Sequence, residues 1–403
     1  MTNIIFVLVD ALNARNLGCF GYDNISPNID KLASRGAVFK KCFSCANASD
    51  TALTSLMSGM YPHSHGITHH SFDVSDSQLR NFEEREVKLM QQVLQKNGYA
   101  TFGLDFLGRW HNRGYDYYPS LKIDRTKRKE QMHNMQLLFE FFHVKEFFKK
   151  VYRMNMFKKI FGGFDSYPND IETTANAINI IKQKKNPFFL FVHYWGVHKP
   201  YTCPNVSDKL SVACYDDAIK KVDGHVGELM AAADDDTVFV LVGDHGESLG
   251  EHGISFDHHG LYDASMHVPL IISGNGIPVM QFEGLTSIID IFPTVLEIAG
   301  VTHDARIDGK SLFPVMEGKE NIVRNYIIGS ENYYQDKISI RTEDYKYIKK
   351  IGRGTCGKCQ IVHGGDVELY DLQNDPEELH NIAGEQESLA YVLDRELMYS
   401  ISY

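Results

Sequence analysis

No apolar run in the chain approaches the length of a membrane span, and there is no internal repeat or low-complexity linker. A transmembrane helix and a repeat array are therefore excluded as readings of its organisation. Met1-Thr2-Asn3 leads straight into an apolar stretch with no basic n-region and no cleavage site, so no signal peptide is expected and a cytoplasmic location follows by default. Cysteine is scarce and odd in number: seven residues scattered along the chain do not make a disulfide framework and suit a reducing compartment. Cys42/Cys45 and Cys356/Cys359 each have the CxxC spacing, but a shared zinc site would need the pairs to meet across most of the chain, and separate thiols are the simpler expectation. Positive charge is in deficit, with 41 Lys and Arg against 52 Asp and Glu, so the chain as a whole lacks the basic surface of a nucleic-acid-binding protein.

What is present is a soluble globular composition, 403 residues with 43% hydrophobic content, enough for one large core or a main domain with an appendage. Two apolar runs carry the chemistry: Phe6-Val7-Leu8-Val9 ending in Asp10, and Val238 to Gly243 ending in Asp244-His245-Gly246-Glu247. Such runs suit strands buried on both faces of a parallel sheet, and ligands gather beyond the carboxyl ends of those strands. Asp10, Asp244 and His245 are therefore expected to meet at one edge, where carboxylates and an imidazole suit a divalent ion such as Mg²⁺, Ca²⁺, Mn²⁺ or Zn²⁺. A capping role for Asp10 and a packing role for His245 are the plain alternative.

Strand-like runs at 4–9, 187–192, 237–242 and 268–272 alternate with helical patterns at 26–33, 171–184 and 208–232, which predicts an α/β layered core with a mainly parallel sheet flanked by helices. Residues 121–160 hold eleven Lys and Arg against four Asp and Glu, interleaved with phenylalanines, and read as a basic, aromatic helical insertion at about 120–162. After about 320 the pattern shortens into strands and turns. The expected division is a catalytic domain over 1–320 and a small α+β subdomain over 321–403.

An ordered set of short segments then points to a family. Ser26-Pro27-Asn28, Ser49 through Gly59, Tyr61-Pro62-His63-Ser64-His65-Gly66, Gly108-Arg109-Trp110-His111, Val192 through Tyr201, Gly243 through Glu247, Asp290 through Thr294, Asp308 through Leu312 and Leu369-Tyr370-Asp371 span nearly the whole chain. In this order they resemble the sulfatase family of the alkaline phosphatase superfamily. The resemblance implies an alkaline-phosphatase-like fold and a metal-dependent hydrolase of a small anionic ester, in which basic side chains hold a tetrahedral sulfate or phosphate.

It places the nucleophile of the C/S-x-P-x-R signature on Ser49, with Thr51 at the proline position and Leu53 at the arginine position. In sulfatases this Cys or Ser becomes formylglycine, and the proline and arginine are part of what the maturation system recognises. Two chemistries stay open: formylglycine at Ser49, or direct attack by the unmodified hydroxyl as in phosphatases and phosphodiesterases of the superfamily. Ser49 as a mere helix N-cap is the structural alternative. Asp10, Asp244 and His245 match metal ligands, although Ala11 stands where many members have a second Asp; the imidazole shifts the preference toward Mn²⁺ or Zn²⁺. Arg109 replaces a family lysine and is expected to clamp the anion. His111 matches the histidine that assists at the nucleophile, and His198 the one that contacts the ester or protonates the leaving group. A further family lysine falls on His258 or His259, either of which is expected to donate to the anion or to bind metal. The remaining histidines, among them His65, His70 and His267, are expected to be packed or solvated.

Three functions follow: a sulfate-ester hydrolase, a phosphodiesterase or phosphomonoesterase using unmodified Ser49, and an anion-binding protein without turnover, suggested by Ala11 and Leu53. The alcohol half of the ester and the oligomeric state have no readable code in the sequence.

Overall fold

The computed structural model describes residues 2–119, 169–183, 187–201, 203, 210–357 and 360–402. The expected basic insertion at about 120–162 lies outside the described residues. The strands described are β1 Ile4–Val9, β2 Gly36–Phe43, β3 Ala100–Leu104, β4 Phe188–Tyr194, β5 Val238–Gly243, β6 Ser248–Leu249, β7 Ser255–Asp257, β8 His267–Ser273, β9 Met280–Ser287, β10 Tyr326–Glu331, β11 Lys337–Thr342, β12 Tyr345–Lys350 and β13 Val367–Asp371.

Among the described residues the main sheet runs β3-β4-β1-β5-β8-β2-β9. β3, β4, β1 and β5 are parallel neighbours, whereas β8 runs antiparallel to both β5 and β2. β1 shows why its run is apolar throughout. Ile4, Phe6 and Leu8 join a core with Leu53, Leu56, Leu94 and Val295, while Ile5, Val7 and Val9 join a second core with Ile29, Ala177 and Val222. Helices cover both faces, so a polar residue on either side would be buried. Each such aliphatic or aromatic side chain contributes about 1.5–3 kcal/mol by leaving water.

The expected strands stand in place, with β4 reaching two residues further, to Tyr194. Unexpected from the sequence are β2, β3 and β9. β2 changes register between Phe39 and Cys42 against β8, and this irregularity breaks the alternation that marks a strand. A second, antiparallel sheet in the order β10-β11-β12-β13 packs under the C-terminal helix Glu387–Ile401, whose Leu393 and Leu397 share a core with Ile340 and Leu369. Among the described residues no helix is long and apolar enough to cross a membrane.

Candidate active site

Val9 of β1 pairs with Gly243 of β5 and with Tyr194 of β4, so the chain leaves three adjacent strands at one level of the carboxyl edge. Asp10 and Asp244 are the next residues. The Asp10 amide donates to the Tyr194 carbonyl at 2.9 Å. Asn13 latches the two strand ends together: its side-chain amide donates to the Glu247 carbonyl at 2.8 Å, and its Oδ1 accepts from the Glu247 amide at 2.8 Å. Ala11 takes a positive φ of 58°, a conformation that costs a non-glycine residue about 1–2 kcal/mol. That turn aims its amide at Asp244 Oδ1, 3.1 Å away. The residue standing where the family often has a second aspartate thus supports the other carboxylate through its backbone.

Asp10, Asp244 and His245 are fully buried, and one ligand atom from each lies within 4.8 Å of the others. His245 Nδ1 faces the Gly246 carbonyl at 2.9 Å, which assigns its proton there and leaves Nε2 turned toward Asp10 Oδ1 at 3.7 Å and Asp244 Oδ2 at 3.5 Å. Among the described residues, Asp10 Oδ1 and Asp244 Oδ2 have no hydrogen-bond partner. Two buried carboxylates with unsatisfied oxygens around an imidazole nitrogen fit a divalent cation, because such oxygens are otherwise costly to bury. Burial alone would raise the Asp10 carboxyl, but His198, His193 and His245 bring it down to about 2. Asp244 is raised, by burial and then by the charge of Asp10.

Ser49 does not precede a helix; it opens one, Ser49–Ser58, with Ala48 at the cap position and no side-chain cap bond. The capping reading fails because its hydroxyl points elsewhere, donating to Asp10 Oδ2 at 3.4 Å and lying 3.3 Å from His245 Nε2. It is thus at a helix N-terminus, where amides and the helix dipole favour an anion, and against the dicarboxylate cluster.

Arg109 and His111 converge on Asp50, the residue after Ser49. The Arg109 guanidinium bonds Asp50 Oδ2 and donates to the Ser71 carbonyl at 2.8 Å, its plane lying over the Trp110 ring. His111 Nε2 stands 3.2 Å from Asp50 Oδ1, and His70 Nδ1 3.1 Å from Oδ2. Against burial, His70, His111 and Arg109 hold the Asp50 carboxyl well below its usual range. His198 donates Nδ1–H to the Lys199 carbonyl at 2.6 Å and stacks on Trp195; burial pushes it down to about 4. His258 stacks on His245 at 4.2 Å, whereas its neighbour His259 turns to Cys356 and His363. Of the two, His258 is the one that stacks on His245.

Several groups at the site were missed. His193 lies between Asp105, whose Oδ1 is 2.7 Å from Nδ1, and Asp10, 3.6 Å from Nε2. These carboxylates outweigh burial and raise it to about 10. Its signal was present, a histidine at the carboxyl end of an apolar run, but the run was read two residues short. Asp50 and His70 gave no signal, since their roles depend on contacts across 59 and 20 residues of sequence.

A parallel-sheet edge with a buried dicarboxylate and imidazole beside a serine that starts a helix defines an alkaline-phosphatase-like ester hydrolase. Comparison with known proteins specifies the family. The Sulfatase family pattern matches residues 2–301, and the N-sulphoglucosamine sulphohydrolase C-terminal pattern matches residues 250–400. A sulfatase of Formosa agariphila is 24% identical over 94% of this chain and 83% of its own length. An N-acetylgalactosamine-6-O-sulfatase of Bacteroides thetaiotaomicron is 22% identical over 99% and 93%. Among solved structures, the phosphonate monoester hydrolase of Agrobacterium radiobacter superposes with a TM-score of 0.74 at 18% identity, covering 100% of this chain and 95% of that one. The chain belongs to the sulfatase family.

Proposed function

We propose that this protein hydrolyses a sulfate monoester of a small saccharide or metabolite, with Ser49 at the point of attack and a divalent ion held by Asp10, Asp244 and His245. The observation that carries the reading is the placement of the Ser49 hydroxyl within 3.4 Å of both Asp10 and His245. When bound, the ion supplies a lowered hydroxyl pKa and positive charge toward the ester oxygens. Asp10 accepts the hydrogen bond of the Ser49 hydroxyl and so orients it, and the first turn of helix Ser49–Ser58 favours the incoming anion. His198, with its proton fixed on Nδ1 by the Lys199 carbonyl, presents Nε2 as the group to hold a proton for the leaving alcohol. An anion entering beside it opposes the effect of burial and raises its proton affinity.

The charge of the site supports a monoanion. Arg109 is engaged by Asp50, Lys199 by Asp257 and His193 by Asp105, so each of these side-chain cations already faces a carboxylate. A sulfate monoester carries one negative charge, as does a phosphodiester, whereas a phosphate monoester carries about two near neutral pH. The relative named for N-acetylgalactosamine 6-O-sulfate supports a sugar ester.

A second reading, direct attack of unmodified Ser49 on a phosphodiester or phosphonate monoester, is favoured by Leu53, apolar and buried where the family signature has arginine. The test is turnover of aryl sulfate, aryl phosphate and bis-aryl phosphate by the purified protein with Mg²⁺, Ca²⁺, Mn²⁺ or Zn²⁺, alongside labelling of Ser49 with an aldehyde-reactive probe. Sulfate turnover is expected. Diester turnover with no sulfate turnover would replace the first reading by the second, and the labelling reports separately whether Ser49 carries an aldehyde.

A further inference from the structure

His259, Cys356 and His363 come from two distant parts of the chain, the segment following β7 and the loop between β12 and β13. All three are buried, at 5%, 0% and 9% exposure, and one ligand atom from each lies within 4.8 Å of the others. The long loop turns back on itself to bring its two members together. The Cys356 amide donates to the Ile361 carbonyl at 2.9 Å, and the Gln360 amide to the Cys356 carbonyl at 3.0 Å. The His363 amide donates to Gln335 Oε1 at 3.2 Å, and Lys337 Nζ donates to the His363 carbonyl at 2.7 Å. The imidazoles of His259 and His363 stand 5.0 Å apart.

We infer that His259, Cys356 and His363 form a second metal site, built for zinc or another thiophilic divalent ion, which clips the β12–β13 loop to the active-site edge. A thiolate with two imidazoles is a zinc donor set and a poor one for Mg²⁺ or Ca²⁺. Ligands around a tetrahedral zinc at ~2.0–2.3 Å stand roughly 3.3–3.8 Å from one another, so the observed spread closes onto an ion with small side-chain adjustments. Asp257 Oδ1 lies 3.4 Å from His259 Nε2, in the place of the outer carboxylate that orients a ligating imidazole. Cys359, which completes the CxxC spacing, lies outside the described residues, and the site is drawn on the other three alone.

The clip has a mechanical consequence. Tyr334 packs its ring 3.9 Å from that of His259, while its hydroxyl contacts Asp257 Oδ1 at 3.0 Å and His258 Nε2 at 3.1 Å. His258 in turn stacks on His245. Anchoring His259 therefore fixes the backbone that carries His258, whichever oxyanion is hydrolysed.

The test is elemental analysis of the full chain purified without a histidine tag, comparing wild type with Cys356→Ser, His363→Gln and Asp244→Asn. Wild type and Asp244→Asn are expected to hold about one equivalent of zinc that Cys356→Ser and His363→Gln both lack, whatever ion the Asp10–Asp244–His245 cluster takes. Zinc content unchanged in both Cys356→Ser and His363→Gln would overturn the site. Cobalt-loaded wild type gives a second readout that needs no variant to fold. A thiolate-to-cobalt charge-transfer band supports the site, since the Asp10–Asp244–His245 cluster holds no sulfur. Absence of that band, or Cys356 in a disulfide in freshly isolated protein, would contradict it.

Discussion

Asp50, the residue after Ser49, and Asp10, which accepts its hydroxyl, are both buried carboxylates, yet their surroundings differ in kind. Asp50 is fully compensated: Arg109, His111 and His70 surround it, and its charge is held by the protein itself. Asp10 faces a second carboxylate, Asp244, across one imidazole, and each of the two keeps an oxygen without a hydrogen-bond partner among the described residues. The difference separates scaffold from site. The Asp50 carboxylate has its charge matched by the protein and ties the helix opened by Ser49 to the turn bearing Arg109 and His111, although Arg109 Nε and His111 Nδ1 have no hydrogen-bond partner among the described residues. The Asp10–Asp244 group leaves carboxylate oxygens that an added cation would satisfy. Arg109, expected as the anion clamp, contacts Asp50 in this structure.

Substitutions at the two groups have opposite signatures. The largest effect is expected at the boundary between them: Ser49→Ala should lower turnover at least about 10³-fold while shifting stability by less than about 1 kcal/mol, because its side chain caps nothing. Asp50→Asn should destabilise by about 2–3 kcal/mol in urea unfolding with or without metal. The loss stays below the ~3–5 kcal/mol of a fully buried pair because the Arg109 side chain is 20% exposed. Asp244→Asn should do the reverse in chelator, raising the stability of the metal-free protein by about 1 kcal/mol through relief of carboxylate repulsion. A destabilised Asp244→Asn apoprotein would erase the contrast.

Acid titration sharpens it. The Asp50 carboxyl is depressed in the fold, so its stabilisation is present above the ordinary carboxylate value of 3.8 and lost as pH falls below it toward the lower folded value. Asp50→Asn should flatten that part of the stability profile, and an unchanged acid limb would show that the Asp50 cluster contributes little. The smallest change is expected for Arg109→Lys, which keeps the charge but loses the forked contact to Asp50 and Ser71. Stability should fall by about 1 kcal/mol with KM nearly unchanged; a tenfold or greater rise in KM at wild-type stability would return Arg109 to the substrate.

The strand ends were legible because burial on both faces forces an uninterrupted apolar run, and Asp10 and Asp244 follow such runs directly. Ser49 was located by its place in an ordered set of motifs, but its orientation was not: whether a serine caps its helix or turns away depends on what it meets, here Asp10 and His245. The choice between His258 and His259 was beyond the sequence for a similar reason. The two adjacent side chains diverge, and a one-residue ambiguity decides which of two clusters each joins. Asp50 was invisible because its partners come from separate turns, and Cys356 because its partners are imidazoles rather than the other CxxC pair.

The most direct test of the account is Mn²⁺ binding, followed by calorimetry and by the electron paramagnetic resonance of the bound ion, in wild type, Asp244→Asn and Asp50→Asn. The hard ion disfavours the thiolate site and reports on the carboxylates. Wild type and Asp50→Asn are expected to bind about one Mn²⁺, and Asp244→Asn to lose at least about tenfold in affinity. Equal binding by wild type and Asp244→Asn would contradict the assignment of the uncompensated carboxylates as the metal centre beside Ser49.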